Sequence, residues 1–147
     1  MTEMKFEIQF APFGSVRGVA LTNFQKVVAR RLAKSWTEIP HVTHHDSVDV
    51  TAMDALRRTF PPEKKVSPLI FLVKALAKTL GEFPSFNASL ADDGKTLFLK
   101  DYVNIGVAVD GPLGLLVPVL HGADTKDVIT LSEELAQLSA QARDKGL

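Results

Sequence analysis

His41, His44 and His45, followed by Asp46, are the densest grouping of side chains able to bind a metal or move a proton in this chain. A metal centre needs its ligands on one side. In an extended strand His41 and His45 share a face while His44 points the other way, and no cysteine or further nearby histidine completes a set. His45 and Asp49 stand at H-x-x-x-D spacing, the arrangement in which a carboxylate could fix an imidazole tautomer for general-base work. On a strand, residues four apart are about 13 Å from each other and cannot touch. His121 is a lone loop histidine. The cluster therefore reads as a polar strand beside a pocket or subunit contact, with no metal.

Other chemistry is sparser. There is no G-x-S-x-G elbow, no cysteine, and no G-x-x-x-x-G-K-[ST] loop. The turn GPLG is not followed by a helix that could cradle a phosphate. Two basic pairs, Arg30-Arg31 and Arg57-Arg58, lie on helical patterns. They are either solvated faces or guanidinium forks for a phosphorylated ligand. In NIGVAVDGPLGLLVPVL (104–120), Asp110 sits with Gly111, Pro112 and Gly114 between two apolar segments. That is either a plain turn between buried strands or a turn that carries an acid to a binding site.

The chain of 147 residues bears 17 basic and 17 acidic side chains, so no net field draws it to nucleic acid or to an anionic membrane. The longest unbroken apolar run after Pro68, Leu69 to Val73, is far too short to span a bilayer. The absence of cysteine and of a signal-peptide core makes the cytoplasm the default compartment, or the mitochondrial matrix in a eukaryote.

The elements that must position these residues follow from periodicity. Met4 to Phe13 alternates like a strand, ended by Pro12 and Gly14. Thr22 and Gln25 make a capping box for a helix with Phe24, Val28, Leu32 and Trp36 on one face, closed by Pro40. His41 to Val50 reads as a strand. Thr51 caps a second helix with a buried stripe of Met53, Leu56 and Phe60, stopped by Pro61 and Pro62. Glu63 to Lys65 form an exposed connection. Ser67-Pro68 starts a third helix, apolar nearly all round and hence central, running to Leu80 with Gly81 as its stop. Ala88–Leu90 and Thr96–Lys100 are short strands around Asp92-Asp93-Gly94. Tyr102–Asp110 and Leu115–Leu120 are longer ones. Thr130 and Glu133 open a last amphipathic helix with Leu131, Leu135, Leu138 and Ala142 inward and Gly146 at its end. The class is α+β, or mixed-sheet α/β.

Taken together, IPHVT (39–43), FPSFNASL (83–90) and NIGVAVDGPLGLLVPV (104–119) resemble, in order and spacing, the catalytic core domain of dihydrolipoyl acyltransferases of 2-oxo acid dehydrogenase complexes. The likeness runs from about Gly18 to the C-terminus, leaving residues 1–17 as an N-terminal arm. It implies a chloramphenicol acetyltransferase-like two-layer fold, present here only in part, in homotrimers that assemble into a larger cubic or dodecahedral core. It also implies acyl transfer between dihydrolipoamide, carried on a separate lipoyl domain, and coenzyme A. IPHVTHHD leans towards the acetyl-transferring, pyruvate dehydrogenase branch.

The family's general base is the histidine of an H-x-x-x-D-G motif, and its oxyanion donor is the serine of a T-[IL]-S-[SN]-[IL]-G stretch. Neither occurs in this chain: His45-x-x-x-Asp49 is followed by Val50. The resemblance therefore implies that residues 18–147 are the N-terminal two-thirds of the domain, with no catalytic residue, and inactive alone. A non-catalytic assembly relative is the alternative. On the coenzyme side, the family's contacts map to Arg57, Ser67 and Asp110, although Ser67 is equally readable as a plain helix cap.

Overall fold

The computed structural model describes residues 10–111 and 114–145. The chain divides into two compact units, Met1–Ser47 and Val48–Leu147.

In the first unit, a 3-10 turn at Ala11–Phe13 stands where the end of the opening strand is expected, since Pro12 fixes φ and withholds an N–H. The rest of that expected strand, up to residue 9, lies outside the described residues. Helix α1, Asn23–Glu38, starts on a complete capping box. Gln25 N–H donates to Thr22 Oγ1 at 3.2 Å, and Thr22 N–H donates to Gln25 Oε1 at 2.9 Å. Its apolar stripe stays largely uncovered among the described residues: no α1 residue is buried, and Trp36 is 75% exposed. The strand expected over 41–50 is absent. A strand persists only where a partner takes its backbone groups, and among the described residues no strand pairs with this segment. His41 instead stacks on Trp36 at 5.2 Å, its Nδ1 2.9 Å from Ile39 O.

The second unit begins with α2, Thr51–Arg58. Thr51 is its first residue rather than its cap, because the Asp49 carboxylate reaches forward and accepts from the Thr51 N–H (2.8 Å) and hydroxyl (2.6 Å). Those two bonds hold the Asp49 carboxyl below its usual range. Of the expected stripe, Met53 and Phe60 are half-buried and Leu56 is exposed.

Helix α3, Pro68–Glu82, has Ser67 at its N-cap position and Pro68 at its first turn, but the Ser67 hydroxyl makes no capping bond. The helix runs past the expected stop at Gly81, and the Phe83 N–H closes it on Thr79 O at 2.9 Å. Pro84 accounts for the later end, since the residue before a proline is pushed out of the helical region. The expected all-round burial is also corrected. Ile70, Val73 and Ala77 form one buried face, while Leu69, Leu72 and Leu76 are exposed.

Two antiparallel hairpins follow. β1 (Ala88–Leu90) pairs with β2 (Leu97–Leu99), with Gly94 at φ 67° in the turn. The two long strands expected over 102–120 are each broken, giving β3 (Ile105–Gly106), β4 (Val109–Gly111), β5 (Gly114–Leu116) and β6 (Val119–Leu120). β3 pairs with β6 and β4 with β5, and among the described residues Val107 N–H to Pro118 O at 3.0 Å is the backbone bond between the two pairs. Pro118 has no N–H for the ladder, which explains the gap.

Helix α4, Val128–Lys145, begins earlier than the Thr130 capping box predicts. Asp127 is the cap: its Oδ1 accepts from Thr130 N–H at 2.8 Å and its carbonyl from Leu131 N–H at 3.1 Å. The expected stop at Gly146 lies outside the described residues.

The core joins Val66, α3 (Ile70, Val73, Ala77), Val103, Leu120 and Ala123 to Leu131 of α4. Phe60 and Phe71 meet edge to face beside it, with ring centres 6.3 Å apart. The far end of α4 packs closely against β4 at Gly111. A Cβ there would stand 3.0 Å from the Ala142 carbonyl oxygen. Helices with short antiparallel ladders make this an α+β fold.

Candidate functional site: a cationic groove between α2 and α3

Pro61 and Pro62 end α2 and force a sharp connection to α3. The corner leaves a groove of about 450 Å³ lined by Arg57, Arg58, Phe60, Pro61, Pro62, Lys64, Lys65, Val66, Ser67 and Pro68. Four of these side chains are cationic and none is acidic. The α3 N-terminus opens beside them, and the positive end of a helix dipole adds to the same sign of field.

Asp54 sets the two arginines from one turn below. Arg57 Nε and Nη2 donate to Asp54 Oδ1 at 2.8 and 2.7 Å, and Arg58 Nε and Nη2 donate to Oδ2 at 2.8 and 2.7 Å. The i+3 and i+4 spacing makes this double fork possible. The hydrogen bond from Arg57 is the largest cause holding the Asp54 carboxyl below its usual range. Each guanidinium has five N–H donors, so both keep donors for a ligand.

The groove brings together two of the three residues expected on the coenzyme side, Arg57 and Ser67. Ser67 offers its hydroxyl without a capping bond. Asp110 is exposed on β4, across from Leu115, and is not among the groove's lining residues. His44, His45 and His121 are exposed, and the described residues contain no group of three or more metal-ligating side chains. Chemically, the groove can hold phosphate oxygens by charge and hydrogen bonding. It contains no nucleophile paired with a base.

Residues 14–147 match the family model of the 2-oxoacid dehydrogenases acyltransferase (catalytic domain). The chain belongs to this acyltransferase family. It is 46% identical over 146 residues to the dihydrolipoyllysine-residue acetyltransferase component of the pyruvate dehydrogenase complex of Pseudomonas aeruginosa, covering 96% of this chain and 27% of that relative. Among solved structures, it is similar to the dihydrolipoamide acetyltransferase of Azotobacter vinelandii, with a TM-score of 0.86 at 41% identity. That match covers 94% of this chain and 59% of the other. The cubic core of a pyruvate dehydrogenase multienzyme complex matches with the same score, identity and coverage. The chain thus spans about a quarter of the length of the curated relatives it matches.

Every lining residue of the groove falls inside the stretch matched to the acyltransferase family. Lys64 and Lys65 were legible only as an exposed connection. Two lysines just ahead of Ser-Pro, and so at the mouth of a helix N-terminus, are the signal that could have found them.

Proposed function

We propose that this chain supplies the coenzyme A side of an acyltransferase core, moving an acetyl group between coenzyme A and dihydrolipoamide within a pyruvate dehydrogenase complex. The observation that carries this reading is the cationic groove at the α3 N-terminus inside a domain of acyltransferase family. Arg57, Lys64 and Lys65 meet coenzyme phosphates, Ser67 donates to or accepts from the ligand, and Asp110 contributes from the β4 turn. The lipoyl group arrives on a separate domain. No metal is required.

In the transfer, a base takes the proton of the attacking thiol, its sulfur adds to the thioester carbonyl, and the second sulfur leaves with the electron pair. Neither the base motif nor the oxyanion serine motif is present, so residues 1–147 hold coenzyme A and do not perform that step alone. The arrangement is a chloramphenicol acetyltransferase-like, mixed-sheet layer with residues 1–17 as an arm and 18–147 as the domain's N-terminal part. Uncovered apolar side chains such as Trp36 and Phe86 fit burial between copies, in a homotrimer that builds a larger core with the other complex subunits. The balanced charge and the lack of any helix among the described residues long and apolar enough to cross a membrane support a cytoplasmic or matrix setting, with no nucleic acid or membrane partner.

Calorimetric titration with coenzyme A tests the binding half: saturable binding weakened by Arg57→Ala is expected, and no binding overturns it. An acetyl-coenzyme A and dihydrolipoamide assay of the 147-residue chain tests the other half. Turnover there would overturn the claim that the reacting groups lie outside it.

A further inference from the structure

The connection that carries Lys64 and Lys65 has two faces. One is the cationic groove. Behind the other lies a second cleft, of about 240 Å³, lined by Pro62 to Val66 and by Ile129, Ser132, Glu133 and Ala136 of α4. The wall of the groove is therefore not packed solidly against the helix behind it. Three ties hold it: the Lys64 N–H closes a turn on Pro61 O at 2.8 Å, Val66 inserts into the core at 3% exposure, and Ser132 Oγ donates to Lys65 O at 2.8 Å. The third alone bridges the cleft, across 67 positions of sequence.

We infer that Ser132 is a positioning residue that holds the Lys64–Lys65 segment in the shape that receives the coenzyme's phosphates. The inference rests on the coenzyme A reading above. A carbonyl fixed by a hydrogen bond sets the peptide plane between Lys65 and Val66, and with it the direction in which the Lys65 side chain leaves the backbone. Without that bond the segment can settle into the cleft and carry its two ammonium groups away from the groove. Ser132 itself touches no ligand. It acts through the backbone of Lys65.

The test is titration of the 147-residue chain with coenzyme A and, separately, with pantetheine, which has no phosphate. Ser132→Ala is expected to weaken coenzyme A binding by between about 3- and 10-fold, as loss of one ordering hydrogen bond implies, while leaving the affinity for pantetheine unchanged. Ser132→Thr, which keeps the hydroxyl, is expected to restore coenzyme A binding. Equal losses for both ligands, or no loss for coenzyme A, overturn the positioning role while leaving the coenzyme reading standing. Absence of coenzyme A binding by the unsubstituted protein sinks that reading, and the role of Ser132 with it.

Discussion

The ammonium of Lys74, in the middle of α3, lies 2.6 Å from the backbone carbonyl of Lys126. The same Nζ donates to Ala123 O at 3.2 Å and Asp124 O at 2.7 Å, so all three of its donors are used on one turn. That turn links β6 to α4. Lys74 breaks an apolar helix run to satisfy carbonyls that the turn itself leaves unpaired. Replacing it by Met keeps the aliphatic stem and removes the donors. Lys74→Met is expected to lower unfolding free energy by about 1–3 kcal/mol. Urea denaturation of both proteins checks this, and an unchanged midpoint would show that water replaces the ammonium without loss.

The broken hairpin makes a second expectation. A Cβ on Gly106 would stand 2.8 Å from Val117 Cγ1, closer than real contacts allow. Gly106→Ala therefore forces Val117 or the strand aside and is expected to cost about 1–3 kcal/mol. Val117 is half exposed, so trimming it opens the space cheaply. The double variant Gly106→Ala, Val117→Ala is expected to recover most of the loss, a coupling measurable in a double-mutant cycle by thermal unfolding. Additive losses would place the strain elsewhere.

How much of this was readable in advance depends on what each signal measures. Local signals succeeded where the causes are local: the Thr22–Gln25 capping box, the Ser67-Pro68 start and the Asp92-Asp93-Gly94 turn all stand where the residues place them. They failed where a neighbour decides. Residues 41–50 have strand-like residues but no partner strand among the described residues, and alternation cannot announce whether a partner is there. Thr51 and Thr130 look like caps, yet Asp49 and Asp127, stronger acceptors a few residues upstream, take that work. At the groove, the family resemblance points to Arg57 and Ser67 as ligand contacts, and the fold puts both in one lining. Lys64 and Lys65 line the same groove, and Ser132, far along the chain on α4, reaches the Lys65 carbonyl only through the fold.

Asp127 gives a pH prediction whose sign is fixed by its bonds. Hydrogen bonds from the Thr130 backbone and side chain are the leading causes that hold its carboxyl below the ordinary aspartate value of 3.8. A group whose folded pKa is depressed contributes stability that is present above the unfolded value and lost as pH falls through the folded one. Asp127→Ala is thus expected to be less stable than the unsubstituted protein at neutral pH, with the gap closing below about pH 4. Thermal melts from acid to neutral pH check this. Asn, which still accepts at the cap, is expected to flatten the pH dependence while keeping more of the stability than Ala.

Arg57 and Arg58 share Asp54, but their side chains are 33% and 75% exposed. An exposed guanidinium loses more side-chain freedom on gripping a phosphate and meets stronger solvent screening, so its contribution is smaller. Arg57 is held by its fork and partly enclosed, and its remaining donors are already ordered. Arg57→Ala is expected to weaken coenzyme A binding roughly tenfold, and Arg58→Ala by less than about threefold. Arg57→Lys should fall between, since it keeps the charge and loses the fork that Asp54 orients. Calorimetric titration at two salt concentrations checks the order. A larger loss for Arg58 would move the phosphate contact to the outer face of α2.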